Sequence, residues 1–347
     1  MRLNSPSVNC PSPPVRTHAL GFQSPPQNPR PIVGGFVTVH AHAKINLYLD
    51  VLERREDGYH DIVSVMQSLG LCDDLMIMVK AVVDAEAAVT LACNDPTLPT
   101  NENNLVVKAA MLLVREYSIR DPIHIELTKR IPAGAGLGGG SSDCAATLHG
   151  INKLFGLNIP MDKLMEYGKS LGADVPFCLM AGAGTCTALA EGIGEKLTPL
   201  PPHPDCYIVL VCPGIHVSTA EAYALLQSPI PVDESLKQYI APSRVVAEGQ
   251  VLADLMVALS AGDVSGIAAN FFNIFTLVTA TKHPEILHII HKLQDLGALG
   301  ASMSGTGSAV FAYFDNKNNA QAACNRFQNA FLTHIFNPER TDHYEKN

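Results

Sequence analysis

Between positions 131 and 146 the chain reads Ile131-Pro132-Ala133-Gly134-Ala135-Gly136-Leu137-Gly138-Gly139-Gly140-Ser141-Ser142-Asp143-Cys144-Ala145-Ala146, five glycines and two serines ahead of an apolar helical pattern. Glycine lets the backbone approach an anion and take up positive φ, and the open amides of a helix N-terminus turn positive partial charge toward it. The chemistry on offer is phosphate binding. A tight turn that binds nothing is the competing reading, and the loop's length and its Ser-Ser end weigh against it. No Gly-Lys-Ser or Gly-Lys-Thr closes the loop, which excludes a Walker A motif. Nor does an acidic residue end a second strand at the distance a dinucleotide fingerprint needs.

Five further groups could do chemistry. Lys44 and Asn46 sit two residues apart on one strand face, about 6.6 Å apart if the strand is regular. Arg55-Glu56-Asp57-Gly58-Tyr59-His60 reads as an exposed turn with an aromatic and an imidazole, material common at sites. In Leu171-Gly172-Ala173-Asp174-Val175-Pro176-Phe177 the lone Asp174 reads by itself as a helix cap. Ser302-Met303-Ser304-Gly305-Thr306-Gly307-Ser308 reads by itself as a glycine turn. His40 and His42 have metal-ligand chemistry, but no further His/Cys cluster accompanies them along the chain.

The elements that must hold these groups are legible. Ile123, Ile125 and Leu127 alternate with His124, Glu126 and Thr128, so a half-buried strand leads into the glycine loop. Ala145, Leu148, Ile151 and Phe155 recur at helical spacing after it, with Ser142 or Asp143 placed to cap the helix. Val37, Val39, Ala41, Ala43, Ile45, Leu47, Leu49 and Val51 alternate with more polar residues, which predicts a long bent strand with one buried face. A helix is predicted from near Pro284, and strands at 207–212 and 309–314.

With 347 residues, 47% hydrophobic and 16% charged, the chain can bury a large core and is long enough for two domains. No apolar run reaches the roughly 18 residues that span a bilayer, so no membrane role is expected. A net charge of −9 argues against general nucleic-acid binding, and an anionic ligand must be held by local donors. Nine scattered cysteines with no Cys-x-x-Cys suggest neither a disulfide framework nor a zinc ribbon, and fit a reducing cytoplasm. Residues 1–36 carry eight prolines, three arginines and no acidic residue, and are read as a disordered extension, with organelle targeting as the minority alternative.

Taken in order, Ala43-Lys44-Ile45-Asn46-Leu47 with Asp57-Gly58-Tyr59-His60, the segment 132–146, Gly172-Ala173-Asp174-Val175-Pro176-Phe177 and Met303-Ser304-Gly305-Thr306-Gly307 resemble the GHMP kinase superfamily over residues 38–314. The Asp-Gly-Tyr-His element is similar to that of the branch phosphorylating the 2-hydroxyl of 4-diphosphocytidyl-2-C-methyl-D-erythritol in non-mevalonate isoprenoid synthesis. Thr306 stands where Ser is frequent and keeps the hydroxyl.

The resemblance implies an α+β GHMP kinase fold: a ribosomal-S5-like N-terminal domain at 37–198, a ferredoxin-like C-terminal domain at 199–336, a tail at 337–347, and the active site in the cleft. It implies ATP as cofactor with Mg²⁺, and a small-molecule cytidine diphosphate substrate. Asp174 becomes the base that takes the hydroxyl proton, with Lys44 as its cationic partner. Pro132, Ala133, Gly134, Ala135, Gly136, Leu137, Gly138, Gly139, Gly140, Ser141 and Ser142 take the ATP phosphates, and Lys129 reaches the nucleotide. Asn46, Tyr59, His60, Thr219 and Tyr223 face the substrate, with His60 hydrogen-bonding the pyrimidine and Tyr59 stacking. Tyr223 can equally be an aromatic packed in the core. No metal ligand is assigned, since Mg²⁺ keeps several waters. Monomer and homodimer both stay open. Another GHMP-type kinase or diphosphate decarboxylase is the first alternative, disfavoured by Tyr59-His60. A non-catalytic nucleotide-binding protein is the second, disfavoured by Lys44 and Asp174 together.

Overall fold

The computed structural model describes residues 30–31, 35–80, 89–184, 186–226 and 249–338. Nearly all of the proline-rich extension and most of the charged tail lie outside the described residues.

Two long strands form the spine. β1 (Phe36–Arg54) and β2 (His60–Val79) pair antiparallel along their length, joined by a turn at Gly58. β3 (Val89–Cys93) and β4 (Ile123–Thr128) extend the sheet beyond the second half of β2, while β5 (Thr187–Gly192) and β6 (Lys196–Pro199) extend it beyond the first half. A two-residue strand, β8 (Phe272–Asn273), runs parallel to β1 on its other side. Helices α1 (Leu105–Glu116), α2 (Gly139–Leu154), α3 (Met161–Leu171) and α4 (Val175–Gly182) pack on this sheet. Asn104 caps α1, its side chain accepting from the Val106 amide at 2.9 Å, as an Asx N-cap should.

The second sheet is antiparallel, in the order β11 (Ala330–His334), β7 (Tyr207–Val211), β10 (Val310–Phe314), β9 (Gly300–Met303). With α9 (Glu285–Asp295) and α10 (Lys317–Cys324) on its face, this is the ferredoxin-like arrangement. The remaining described helices are α5 (Thr219–Leu226), α6 (Gln250–Ala261), α7 (Val264–Ala269) and α8 (Phe275–Lys282). None of the helices among the described residues is long and apolar enough to cross a membrane.

Three apolar clusters hold the sheets together. One lies between the first sheet and its helices, around Leu75, Ile77, Leu113, Leu148 and Phe177. The second joins the two sheets, setting Ile45, Leu47 and Leu69 against Ile208, Leu210, Phe311 and Tyr313. The third lies beyond the second sheet, where Val209 and Phe314 meet Phe275 and Ile286. β7 is therefore buried on both faces, which explains its unbroken apolar run.

β1 departs from the predicted single buried face. Between His42, which pairs with Cys72, and Lys44, which pairs with Ser68, the ladder is irregular by two residues, and the side chains of β1 change face across it. Val37 and Ala41 enter the first core before the shift, whereas Ala43, Ile45 and Leu47 enter the second after it. Lys44 and Asn46 are thereby delivered to the helix side of the sheet, where both are buried.

Candidate active site

Lys44 and Asn46 fall under the N-terminus of α4. The Lys44 Nζ donates to Asn46 Oδ1 at 2.9 Å and lies 3.2 Å from Asp174 Oδ2. Asn46 is held in turn: its Nδ2 donates to Ser64 Oγ at 2.8 Å, Ser64 donates to the Tyr48 carbonyl at 2.7 Å, and the Gly305 amide donates to Asn46 Oδ1 at 3.1 Å. The Lys44 side chain is 5% exposed and that of Asp174 is 31% exposed, so the ammonium is sealed in while the carboxylate faces solvent. Asp174 does stand at the N-cap position of α4, but its side chain makes no capping bond. It is left available for the ion pair.

The glycine loop closes over the same place. Gly136 (φ 83°) and Gly138 (φ 69°) adopt the left-handed conformation. A Cβ on Gly138 would stand 2.8 Å from Lys44 Cγ, and one on Gly136 would stand 2.2 Å from the Ser304 carbonyl oxygen. Backbone contact therefore fixes the loop: Lys44 N donates to Leu137 O at 2.9 Å, Ser304 Oγ to Gly136 O at 2.9 Å, and Ala309 N to Ala135 O at 3.0 Å. The Ser302–Ser308 turn is thus the loop's partner across the sheets. Its other side is held by Asn273, whose Nδ2 donates to Met303 O at 2.7 Å and Gly305 O at 2.8 Å.

Helix α2 starts without a side-chain cap, its N-cap residue being Gly138. Neither Ser142 nor Asp143 caps it as expected: Ser142 Oγ donates to His42 O at 2.7 Å, and Asp143 faces Lys129. The first amides of the helix have no intrahelical acceptor, and the N-cap glycine offers no side chain in its place. Such an end suits a phosphate.

Ten of the residues picked out by sequence line one cavity of about 840 Å³: Lys44, Asn46, Tyr59, His60, Gly136, Gly138, Ser141, Asp174, Thr219 and Tyr223. At its far end His60 stacks on Tyr223, ring centroids 4.9 Å apart and planes inclined by 28°. Phe275 meets Tyr223 edge-on at 4.8 Å. Tyr223 therefore packs on the core and lines the cavity at once. Burial pushes its phenol up to about 12, with the Asp174 carboxylate adding to the shift, so it remains a hydroxyl donor. Tyr59 stays exposed at the rim, and the Thr219 hydroxyl lies 3.4 Å from that of Thr306.

The other loop residues are placed elsewhere. Pro132, Ala133 and Ala135 line a smaller cavity of about 310 Å³ that also includes His216 and Ser308. Leu137 is buried in the core between the sheets, while Gly134 and Gly140 are exposed. Gly139 covers Ile131 and the end of Lys129.

Lys129 is not in the wall of the large cavity, contrary to its expected reach to the nucleotide. Two buried carboxylates hold it instead: Nζ donates to Asp73 Oδ2 and, at 2.8 Å, to Asp143 Oδ2. Asp73 also accepts from the Arg130 amide at 2.5 Å and the Ile131 amide at 2.8 Å, fixing the chain where it enters the loop. One cation serves two carboxylates here. Burial pushes Asp143 up to about 7, Lys129 pulling it back and Asp73 adding to the rise, and its Oδ1 is a buried atom without a partner. Replacing Lys129 by Met leaves both carboxylates buried without their cation. A loss of about 3–5 kcal/mol in unfolding free energy is expected by urea denaturation at neutral pH.

Sequence reasoning missed Asp73, Ser64, Asn273 and Phe275. Asp73 is one of two adjacent acids in a long strand, and nothing in its neighbourhood marks it as the loop's anchor. Phe275 had only its aromatic type as a signal.

Comparison with known proteins shows the family. The chain matches the GHMP kinases N terminal domain at residues 104–182 and the GHMP kinases C terminal domain at 255–333. It is 42% identical over 306 residues to the 4-diphosphocytidyl-2-C-methyl-D-erythritol kinase of Lachnoclostridium phytofermentans, covering 86% of this chain and 97% of that one. The kinase of the same name from Enterococcus faecalis is 40% identical, with 82% and 92% covered. A crystal structure of 4-(cytidine 5'-diphospho)-2C-methyl-D-erythritol kinase superposes with a TM-score of 0.66 at 29% identity, covering 86% of this chain and 99% of the other. L. major mevalonate kinase in complex with R-mevalonate gives a TM-score of 0.67 at 16% identity over 90% of this chain and 100% of that one, which speaks to fold alone.

Proposed function

The chain belongs to the 4-diphosphocytidyl-2-C-methyl-D-erythritol kinases among the GHMP kinases, and we infer from this that it transfers the γ-phosphoryl group of ATP to the 2-hydroxyl of that cytidine diphosphate substrate. The observation that carries the residue assignment is the Lys44–Asp174 pair, set in one cavity wall between the glycine loop and the His60–Tyr223 stack.

Phosphoryl transfer needs positioning and neutralisation of charge more than covalent work by the protein. Asp174 accepts the proton of the 2-hydroxyl as that oxygen forms its bond to the γ-phosphorus and the bond to the β-phosphate oxygen breaks. Lys44, buried and held by Asn46, stabilises negative charge on the attacking oxygen. The loop amides around Gly136, Gly138 and Ser141 bind the phosphates, and closure against Ser304 keeps their geometry when the nucleotide leaves. At the other end His60 supplies hydrogen bonds to the pyrimidine, Tyr59 and Tyr223 supply ring faces, and Thr219 supplies a hydroxyl.

Mg²⁺ would be carried on the ATP phosphates, with the Ser141 hydroxyl, which shares the cavity wall with the glycines, as the side chain to hold it, and it would neutralise phosphate charge. The division of the chain near Thr198, between β6 of the first sheet and β7 of the second, belongs to the same proposal.

A coupled ADP-release assay offering the diphosphocytidyl methylerythritol, mevalonate, homoserine and galactose tests the reading. Turnover is expected with the cytidyl substrate alone. Turnover only with one of the others would overturn it.

A further inference from the structure

His40 and His42, singled out by sequence for metal-ligand chemistry, lie outside the kinase cavity, and strand pairing gives them the companions the linear sequence lacks. In the β1–β2 ladder His40 lies opposite Asp74 and His42 opposite Cys72, so all four project from the same face of the sheet. The ligand atoms of His40, Cys72 and Asp74 lie within 4.8 Å of one another. His42 is committed otherwise, its Nδ1 at 3.0 Å from the Leu69 carbonyl and its ring stacked on Phe336 at 3.6 Å.

We propose that His40, Cys72 and Asp74 form a binding site for one thiophilic divalent cation, with Zn²⁺ as the best match. A sulfur, an imidazole nitrogen and a carboxylate oxygen make a donor set that zinc takes and that Mg²⁺ or Ca²⁺ does not. Tetrahedral zinc places such donors about 3.3–3.6 Å apart; His40 Nδ1 now lies 2.7 Å from Asp74 Oδ1, so a bound ion would take the place of this hydrogen bond, with the exposed His40 ring turning to open the pair. The outer support is already built. Arg130 donates from one nitrogen to Asp74 Oδ2 at 2.5 Å and from the other to the Cys72 carbonyl at 3.2 Å, so a single guanidinium braces two of the three ligand residues.

Charge and access agree. With the imidazole neutral, as a metal ligand must be, a thiolate and a carboxylate stand against one guanidinium and favour a dication. Cys72 is buried, whereas the side chains of His40 and Asp74 are 58% and 31% exposed, which leaves an open side for entry and for a water as fourth ligand. None of the three lines the large cavity, so the site is separate from the kinase chemistry. Its occupation would clip β1 to β2 one residue from Asp73, the anchor of the glycine loop, and so strengthen the fold behind the loop.

The test is a Co²⁺ titration of tag-free, reduced, metal-free protein, followed by displacement with Zn²⁺ and competition with a chromophoric chelator. A thiolate-to-cobalt absorption band saturating at one equivalent and bleached by Zn²⁺ is expected. Cys72→Ser should abolish the band. His40→Ala, at an exposed position, should weaken Zn²⁺ binding by at least about tenfold while kinase turnover with Mg²⁺-ATP stays unchanged. Absence of the band, its survival in Cys72→Ser, or unchanged Zn²⁺ affinity in His40→Ala would each overturn the site. Should Cys72→Ser fail to fold, the His40→Ala affinity decides.

Discussion

Asp174→Asn is expected to lower kcat by about 10²–10⁴-fold while leaving ATP affinity within about twofold of the parent. The substitution keeps the size of the side chain, and no helix cap is lost, because Asp174 makes no capping bond to α4. What disappears is the negative group that takes the substrate proton and faces Lys44 at 3.2 Å. Lys44 retains its bond to Asn46 Oδ1, so its buried ammonium is not stranded and the fold should hold. Circular dichroism establishes folding, nucleotide titration establishes ATP binding, and single-turnover kinetics isolate the chemical step. Parental turnover in a folded variant would mean that another group is the base.

The second large effect is expected at Gly136. Gly136→Ala places a Cβ 2.2 Å from the Ser304 carbonyl oxygen, a backbone atom that cannot swing aside, and does so at φ 83°, where an L-residue is strained. The loop must move or the Ser302–Ser308 turn must. Either breaks the Ser304 hydroxyl's bond to Gly136 O and the amide bond from Ala309 to Ala135 O, which together hold the loop against the second sheet. A stability loss of more than about 2 kcal/mol is expected from the left-handed penalty and the lost bonds together. ATP affinity should fall by at least about tenfold, since the phosphate donors lose their fixed positions. Gly156→Ala is the control: it too has positive φ, at 57°, but its Cβ would meet nothing within 4 Å. It should show a left-handed penalty of about 1–2 kcal/mol without the loss of ATP affinity. Equal ATP affinity in Gly136→Ala and the parent would mean that the loop does not hold the nucleotide.

These two effects differ in what they reveal about reading the chain. The residue type of Asp174 was legible, and so was its place at a helix start. Its availability was not, because whether an Asx side chain caps a helix or turns to a partner depends on what the tertiary structure puts beside it. The glycine loop was legible as a loop, yet which glycines were indispensable was not. Gly136 and Gly138 matter most because the Ser304 backbone and the Lys44 stem pass against them, and both neighbours are distant in sequence. The pairing of Lys129 was hidden for the same reason. Its basic type and its position before the loop suggested a nucleotide contact, while Asp73, on another strand, claims it.

By itself the sequence determined what short-range chemistry controls: the strand–glycine loop–helix order, the turn at Asp57-Gly58, the apolar strands, and, through resemblance of spaced motifs, the family. Those features depend on φ preferences, hydrophobic period and residues a few positions apart. Tertiary structure alone decided the register shift in β1 that buries Lys44 and Asn46 beside Asp174, and the stacking of His60 on Tyr223. It also brought Cys72 and Asp74 opposite the paired histidines. Each of these joins residues from separate elements, and an irregularity in one ladder is enough to turn a side chain to the other face of a sheet. No local pattern encodes that choice; the packing of both faces of the sheet does.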